Sequence, residues 1–79
     1  MKVSVVSAIG GGEPIDVEIS QTDSVAKLKQ VVAGKRRIPA SLVIIVFRGN
    51  QLDDSMTIKA AGMVDGDRCY LITRTEGGA

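Results

Sequence analysis

One segment with helical periodicity lies between segments that alternate as β-strands do, and this order constrains the fold more than any other feature. Before the helical segment, Val3 and Val5 alternate with polar residues, and residues 15–19 alternate again after a glycine-rich run at 8–14. The two runs predict a β-hairpin with a turn at the glycines. A phosphate-binding loop is not expected, since a proline and a strand follow the glycines instead of a Gly-Lys-Ser/Thr sequence that opens a helix.

The helical segment spans residues 21–37, with apolar positions at Val25, Leu28, Val31 and Val32. This spacing predicts an amphipathic helix, capped at one of residues 22–24. Gly34 and the basic run 35–37 mark its last turns, and Pro39 lies just beyond. We interpret the basic run as solvated charge that complements the helix dipole, rather than as a binding patch.

The second half of the chain predicts more strands. Residues 42–48, Leu-Val-Ile-Ile-Val-Phe-Arg, form an apolar run that is too short for a stable helix and predicts a buried strand. The segment "RGNQ" at 48–51 then predicts a turn that reverses the chain. Leu52 is expected in a short strand or as a core contact, and the segment "IKAAG" at 58–62 is expected to form at most about one turn of helix. Residues 67–74 are expected to form the last strand. A chain of 79 residues with one main helix then folds as one α+β domain, with the helix on one face of a sheet.

Composition excludes several classes of function and site. Ten basic and nine acidic residues give a net charge of +1, so neither a nucleic-acid surface nor a membrane surface is expected. One cysteine and no histidine argue against a disulfide framework, a metal site and a histidine base. Cys69 lies on the inward phase of the last strand, where we expect a packed, inert thiol. We expect a soluble, cytoplasmic protein without a signal peptide or a membrane span.

Several motifs in register resemble the ubiquitin family: "FRGNQLDDSMTI" at 47–58, Ile38-Pro39 after the helix, Arg74, and Gly77-Gly78. Allowing two extra residues in the hairpin loop, the register holds from Ile15 to Gly78. The resemblance implies the β-grasp fold, a mixed sheet of four to five strands packed on one helix, over residues 1–74, with a flexible tail at 75–79. The first and last strands would be central neighbours, and the third would lie beside the last. The expected core is Val3, Val5, Ile15, Val17, Ile19, Val25, Leu28, Val32, Ile45, Leu52, Ile58, Met63, Cys69 and Leu71.

The phase of the strands predicts an exposed apolar patch. On the last strand Arg68 and Arg74 must face water, so Tyr70 and Ile72, which share their phase, also face outward. By the same alternation Val46 and Ile44 face outward with Arg48. Val6 faces outward with Lys2 and Ser4. If these strands are neighbours, the outward residues form one surface that binds a partner. The resemblance places Val46 and Ile72 in the hydrophobic recognition surface of ubiquitin and makes Ile9 or Ala8 its loop member.

The resemblance also implies a function for the tail. The chain would be a protein modifier made as a precursor, cut at the Gly78–Ala79 bond by a processing protease that also deconjugates it. An E1-like enzyme, contacted by Arg74, would adenylate the carboxylate of Gly78 with ATP, and an E2-like enzyme would pass it to lysines of target proteins. Gly77 allows close approach in the enzyme's channel. The chain itself would be a monomeric substrate with no catalytic residue, no metal and no bound cofactor.

Some positions depart from the ubiquitin pattern. Asn50 and Asp65 replace the lysines most used for chains, whereas Lys29 and Lys35 fall at positions that carry lysine; further possible acceptors are Lys2, Lys27 and Lys59. Ile44 and Glu76 replace basic residues, so eukaryotic enzymes are expected to reject the chain, which looks more like an archaeal relative. Two alternatives stay open: a β-grasp sulfur carrier that forms a C-terminal thiocarboxylate, and a ubiquitin-like interaction domain that is not conjugated.

Overall fold

The computed structural model of the protein describes residues 1–7 and 13–73, and shows a five-stranded mixed sheet with one main helix. The strands are β1 (Lys2–Ser7), β2 (Ile15–Glu18), β3 (Val43–Phe47), β4 (Asn50–Gln51) and β5 (Arg68–Thr73). The helices are α1 (Val25–Arg36), a 3-10 turn at Ala40–Leu42, and α2 (Ile58–Ala61). The predicted order of strands and helices is confirmed, as is the β-grasp architecture. The predicted boundary at residue 74 lies outside the described residues.

The sheet has the order β2-β1-β5-β3-β4, with the first and last strands side by side in its middle. β1 pairs antiparallel with β2 and parallel with β5, and β3 pairs antiparallel with β5. The parallel pair requires a long crossover, because strands that run the same way cannot be joined by a tight turn. α1 lies in that crossover and contacts β2 and β3.

The ends of α1 show why the helix begins and stops where it does. Ser24 is the N-cap, and its side-chain oxygen accepts a hydrogen bond from the N–H of Lys27 at 3.1 Å. This bond satisfies one of the free N–H groups of the first turn. At the other end Arg37 takes the left-handed conformation, φ 57° and ψ 45°, and its N–H donates to the carbonyl of Ala33. That conformation ends the helix before Pro39.

The starts of the two helices are joined to each other. Thr57 caps α2 as Ser24 caps α1, and the two caps form an isolated antiparallel bridge. The N–H of Val25 donates to the carbonyl of Met56, and the N–H of Ile58 to that of Asp23, both at 2.8 Å. Backbone groups that a helix start leaves free are thus paired across the two segments, which fixes α2 against the beginning of α1.

The core lies between α1 and the inner face of the sheet and is aliphatic except for Phe47 and the sulfur-containing Met63 and Cys69. Thirteen of the fourteen expected core residues are buried. The prediction was wrong for Ile15, which is only partly buried. It begins β2, an edge strand with a neighbour on one side only. The prediction also omitted Ala33, Val43 and Phe47, which are buried.

The predicted boundaries of β3 were too wide. Residue 42 belongs to the 3-10 turn, and Arg48 lies after the strand with φ 53°. The alternation was nonetheless correct within the strand, where Val43, Ile45 and Phe47 are buried and the two residues between them are half-buried. Among the described residues, no helix is long and apolar enough to cross a membrane.

Candidate partner-binding surface

The outer face of the sheet, away from α1, carries a continuous apolar surface. In the strand register Val6 lies beside Tyr70, and Tyr70 lies beside Val46, so that these three residues form one row across β1, β5 and β3. Ile72 and Ile44 are partners in the next row. Their neighbours along each strand are buried on the inner face, which confirms the predicted phase. We call these five residues the sheet patch: Val6, Ile44, Val46, Tyr70 and Ile72.

Tyr70 is the most exposed member of the sheet patch. Its exposed fraction is 45%, whereas the four aliphatic residues around it are half-buried by one another. Exposed apolar residues that stand alone are common, whereas a cluster on neighbouring strands is a candidate surface for binding a partner. The register of β4 places Gln51 beside Val46, at the outer end of the row. Sequence reasoning did not include Gln51, although the "RGNQ" turn predicted a reversal there.

The rest of the outer face is charged and bounds the patch. At the beginning of β1, Lys2 lies opposite Glu18, and Ser4 lies between Asp16 and Arg68. The hydroxyl of Ser4 contacts a carboxylate oxygen of Asp16 at 3.1 Å. Because β1 and β5 are parallel, all of these residues lie at one end of the sheet and the sheet patch at the other. A partner that binds the patch therefore meets an apolar surface with one polar border.

The patch also lies next to the start of the tail. β5 contributes Tyr70 and Ile72, and its last residue, Thr73, directly precedes the predicted tail in the sequence. The predicted tail residues lie outside the described residues, and so do the hairpin-loop candidates: Arg74, Gly77, Gly78, Ala79, Ala8 and Ile9. Their roles stay predictions.

The predicted chain-acceptor lysines differ in their surroundings. The ammonium group of Lys29 lies 2.5 Å from a carboxylate oxygen of Asp54, and only 12% of its side chain is exposed. Lys27 lies 3.6 Å from Asp23 and is exposed. Lys35 is exposed in the last turn of α1 and has no ion pair within the described residues. An acceptor amine must be reachable, so Lys35 has the more suitable geometry of the two predicted acceptors.

Cys69 is completely buried beneath the sheet patch, on the inner face of β5. Burial raises the pKa of its thiol to about 11, and the negative charge of Asp67 contributes to the increase. The reactive thiolate is therefore scarce at neutral pH, in line with the inert thiol expected. Within residues 1–7 and 13–73, no group of three or more metal-ligating side chains comes together.

A depression of about 690 Å³ beside Met1, Glu18 and Asp65 lies at the charged end of the sheet, away from the patch. Its carboxylates already have partners. Asp65 accepts a hydrogen bond from the N–H of Lys2 at 2.6 Å, and Asp23 accepts one from that of Ser20 at 2.9 Å. These groups stabilise the turns that surround β1 and leave the sheet patch as the better candidate site.

Comparison with known proteins agrees with this geometry. A model of the ubiquitin family matches residues 3–76, which include the whole sheet patch and stop two residues before Gly78. The NEDD8-like protein RUB1 of Saccharomyces cerevisiae is 34% identical over 67 residues, 85% of this chain and 87% of that protein. The NEDD8-like protein RUB3 of Arabidopsis thaliana is 34% identical over 64 residues, 81% of this chain and 82% of that protein.

A solved structure named Caldiarchaeum subterraneum ubiquitin superposes with a TM-score of 0.89 at 35% identity, covering 99% of this chain and 98% of the other. The family model spans nearly the whole chain, and the structural match includes the five-stranded sheet and the helix. The chain therefore belongs to the ubiquitin family.

Proposed function

We propose that this chain is a ubiquitin-like protein modifier whose C-terminal Gly78, exposed by removal of Ala79, is joined to lysines of target proteins. The observation that carries the proposal is the position of the sheet patch on β5, the strand that leads into the tail. An enzyme that binds Tyr70 and Ile72 has the tail within reach. The similarity to proteins named NEDD8-like supports the same function.

The tail chemistry follows from what a carboxylate needs in order to react. A carboxylate is a poor acyl donor, so an E1-like enzyme would form an acyl-adenylate on Gly78 from ATP and release pyrophosphate. A thiol of that enzyme would displace AMP, an E2-like thiol would take over the acyl group, and a lysine amine would form the isopeptide bond. Residues 74–78 can extend about 17 Å at about 3.3 to 3.6 Å per residue, far enough to enter another protein's active site.

The chain would contribute binding and no catalytic group. Arg74 would contact the activating enzyme, and the sheet patch would hold the domain on E1-like, E2-like and deconjugating partners. Lys35 would be the better acceptor if chains form, because Lys29 is held by Asp54. Asn50 and Asp65 cannot accept an acyl group at all.

The intact mass of the protein purified from its own cells tests the proposal. We expect loss of Ala79 and a series of larger species in which this chain is attached to other proteins. Replacement of one oxygen by sulfur at Gly78 would instead identify a sulfur carrier. A chain that keeps Ala79 and forms no larger species would identify an interaction domain that is not conjugated.

Mapping of modified lysines needs a protease chosen for this tail. Trypsin cuts after Arg74 and would leave Thr-Glu-Gly-Gly on the target lysine, whereas a glutamate-specific protease would cut after Glu76 and leave Gly-Gly. A chain that ends at Gly78 should be conjugated without the processing step. The matched variant Gly78→Ala, also without residue 79, should form far fewer conjugates, and equal yields from the two would contradict the proposal.

A further inference from the structure

The end of α1 carries three consecutive basic residues, Lys35, Arg36 and Arg37. A positive charge in the last turn of a helix is favourable because the free carbonyl groups there are partly negative. That effect accounts for Lys35 and Arg36, which are helical. It also favours a positive charge at Arg37, the C-cap residue, but it does not explain why a residue other than glycine stands there in the left-handed conformation.

Arg37 is an unfavourable residue for its position. Left-handed backbone brings Cβ close to the following carbonyl oxygen, so glycine is the residue most often found at this point. The same protein follows that rule at the end of α2, where Gly62 has φ 84°. The Arg37 side chain is exposed and makes no hydrogen bond, ion pair or ring contact with the described residues. Within residues 1–7 and 13–73, no side-chain contact therefore offsets the backbone strain of arginine at this position.

The charges at this end of α1 form no ion pair with the described residues, in contrast to those in its first half, although Glu13 lies beside Arg36. In the first half of α1, Lys27 pairs with Asp23 and Lys29 with Asp54. For the three residues 35–37, no carboxylate partner is present in the part of the chain that the structure describes. Residues 8–12 contain no charged side chain.

Arg36 holds the neighbouring hairpin arm in place. Its Nη2 donates to the carbonyl of Glu13 at 3.2 Å, and its Nε is buried without a hydrogen-bond partner. The hydrogen bond thus holds the guanidinium group of Arg36 against the carbonyl of Glu13. A cluster that is partly ordered before binding loses less side-chain entropy when a ligand arrives.

We propose that Lys35, Arg36 and Arg37 form a docking site for a short acidic segment of a partner protein, in addition to the sheet patch. Three positive charges on consecutive residues at the end of α1 match two or three neighbouring carboxylates. A nucleic acid fits less well because the net charge of the whole chain is only +1. The site lies on the helix side of the sheet, so both surfaces can be occupied together, and the inference does not depend on the proposed conjugation.

Titration of the isotope-labelled protein with an acetylated hexaglutamate peptide at low salt tests this site. We expect chemical-shift changes centred on the backbone amides of residues 34–38, and weakening of the binding as salt is added. A hexaglutamine peptide should cause no such changes. Changes spread evenly over the surface, or stronger binding by a six-nucleotide single-stranded DNA at the same amides, would overturn the proposal.

Arg37→Gly separates binding from folding. Because glycine suits this backbone better, the variant should unfold at a higher temperature and yet bind the peptide about two- to fivefold more weakly. Arg37→Lys should retain most of the affinity, and Arg68→Gln, an exposed charge on the sheet, should leave it unchanged. Unchanged affinity of Arg37→Gly would show that the cluster is solvated charge only.

Discussion

At the scale of single residues, the structure contains contacts between side chains far apart in sequence. Lys29 meets Asp54 although 24 residues separate them, and Cys69 is completely buried in a core that both halves of the chain build. The inward position of Cys69 could be predicted from alternation with Arg68 and Tyr70. The partner of Lys29 could not, because the helical pattern only places Lys29 near the edge of the buried face and does not indicate which loop covers it.

The buried thiol of Cys69 makes stability depend on pH in the alkaline range. The thiol of the unfolded chain ionises near pH 9.0, whereas the folded-state pKa is about 11. Between these values ionisation favours the unfolded chain, so the free energy of unfolding should fall as the pH rises from about 9 to about 11. At about 1.4 kcal/mol per pH unit the loss is on the order of 2 kcal/mol.

Urea unfolding at several pH values measures this loss. The comparison is with Cys69→Val, which lacks the thiol and keeps an apolar side chain of similar size. The stability difference between the parent and this variant should change with pH. Parallel curves for the two proteins would contradict the assignment to Cys69.

The ion pair of Lys29 and Asp54 predicts unequal effects of removing its two members. Asp54→Ala leaves a mostly buried ammonium group without a partner and should lower stability by about 1 kcal/mol, limited because 64% of the Asp54 side chain is exposed. Lys29→Met removes the charge and keeps the packing of the stem, so its stability should lie within about 0.5 kcal/mol of the parent. Chemical denaturation checks both values. Asp53→Ala is the control, and an equal loss there would show that the pair is not responsible.

At the scale of elements, periodicity predicted the strands, the helix and their order, because each element buries one face and the spacing of apolar residues records that face. The ends were less predictable. Alternation cannot show that residue 42 belongs to a 3-10 turn or that Arg48 has left β3 with a positive φ. Those positions are decided by turn geometry and by the short β4 that follows.

The two helix ends provide a paired test of this backbone effect. Arg37→Gly should raise the free energy of unfolding by about 1 kcal/mol, because glycine relieves the left-handed strain. Gly62→Arg should lower it by a similar amount, although an added Cβ would meet no atom within 4 Å. Thermal and urea unfolding of both variants measure the changes. Stabilisation by both substitutions, or by neither, would show that strain does not control these ends.

At the scale of the whole molecule, strand order decides what the surface can do. The outward phase of the patch residues follows from each strand separately, but they become one surface only because β5 lies between β1 and β3. Alternation alone does not reveal that order. The motifs shared with the ubiquitin family supplied it, and the tail residues could be recognised only in the same way.

Val46→Asp tests the surface as a unit. Val46 is half-buried at the edge of the row, so the fold should survive with a loss of about 1 kcal/mol, while the affinity for a partner of the sheet patch should fall at least about tenfold. Val64→Asp is the matched control, since Val64 is 51% exposed and lies outside the patch. Calorimetric titration with a patch-binding protein measures both. Equal affinities for the two variants would exclude the patch.

The parallel pairing of β1 with β5 has a mechanical consequence. Because these strands run the same way side by side, the first residue of β1 and the last residue of β5 lie at opposite ends of one hydrogen-bonded ladder. A force that pulls on both ends acts along the strands and shears the ladder, so the bonds must break together rather than one after another. A force applied at Lys35, which lies in α1 and not in β1, does not act directly on this ladder. The resistance of the domain to an unfoldase, which unfolds proteins by pulling on them, should therefore depend on the residues at which the force is applied.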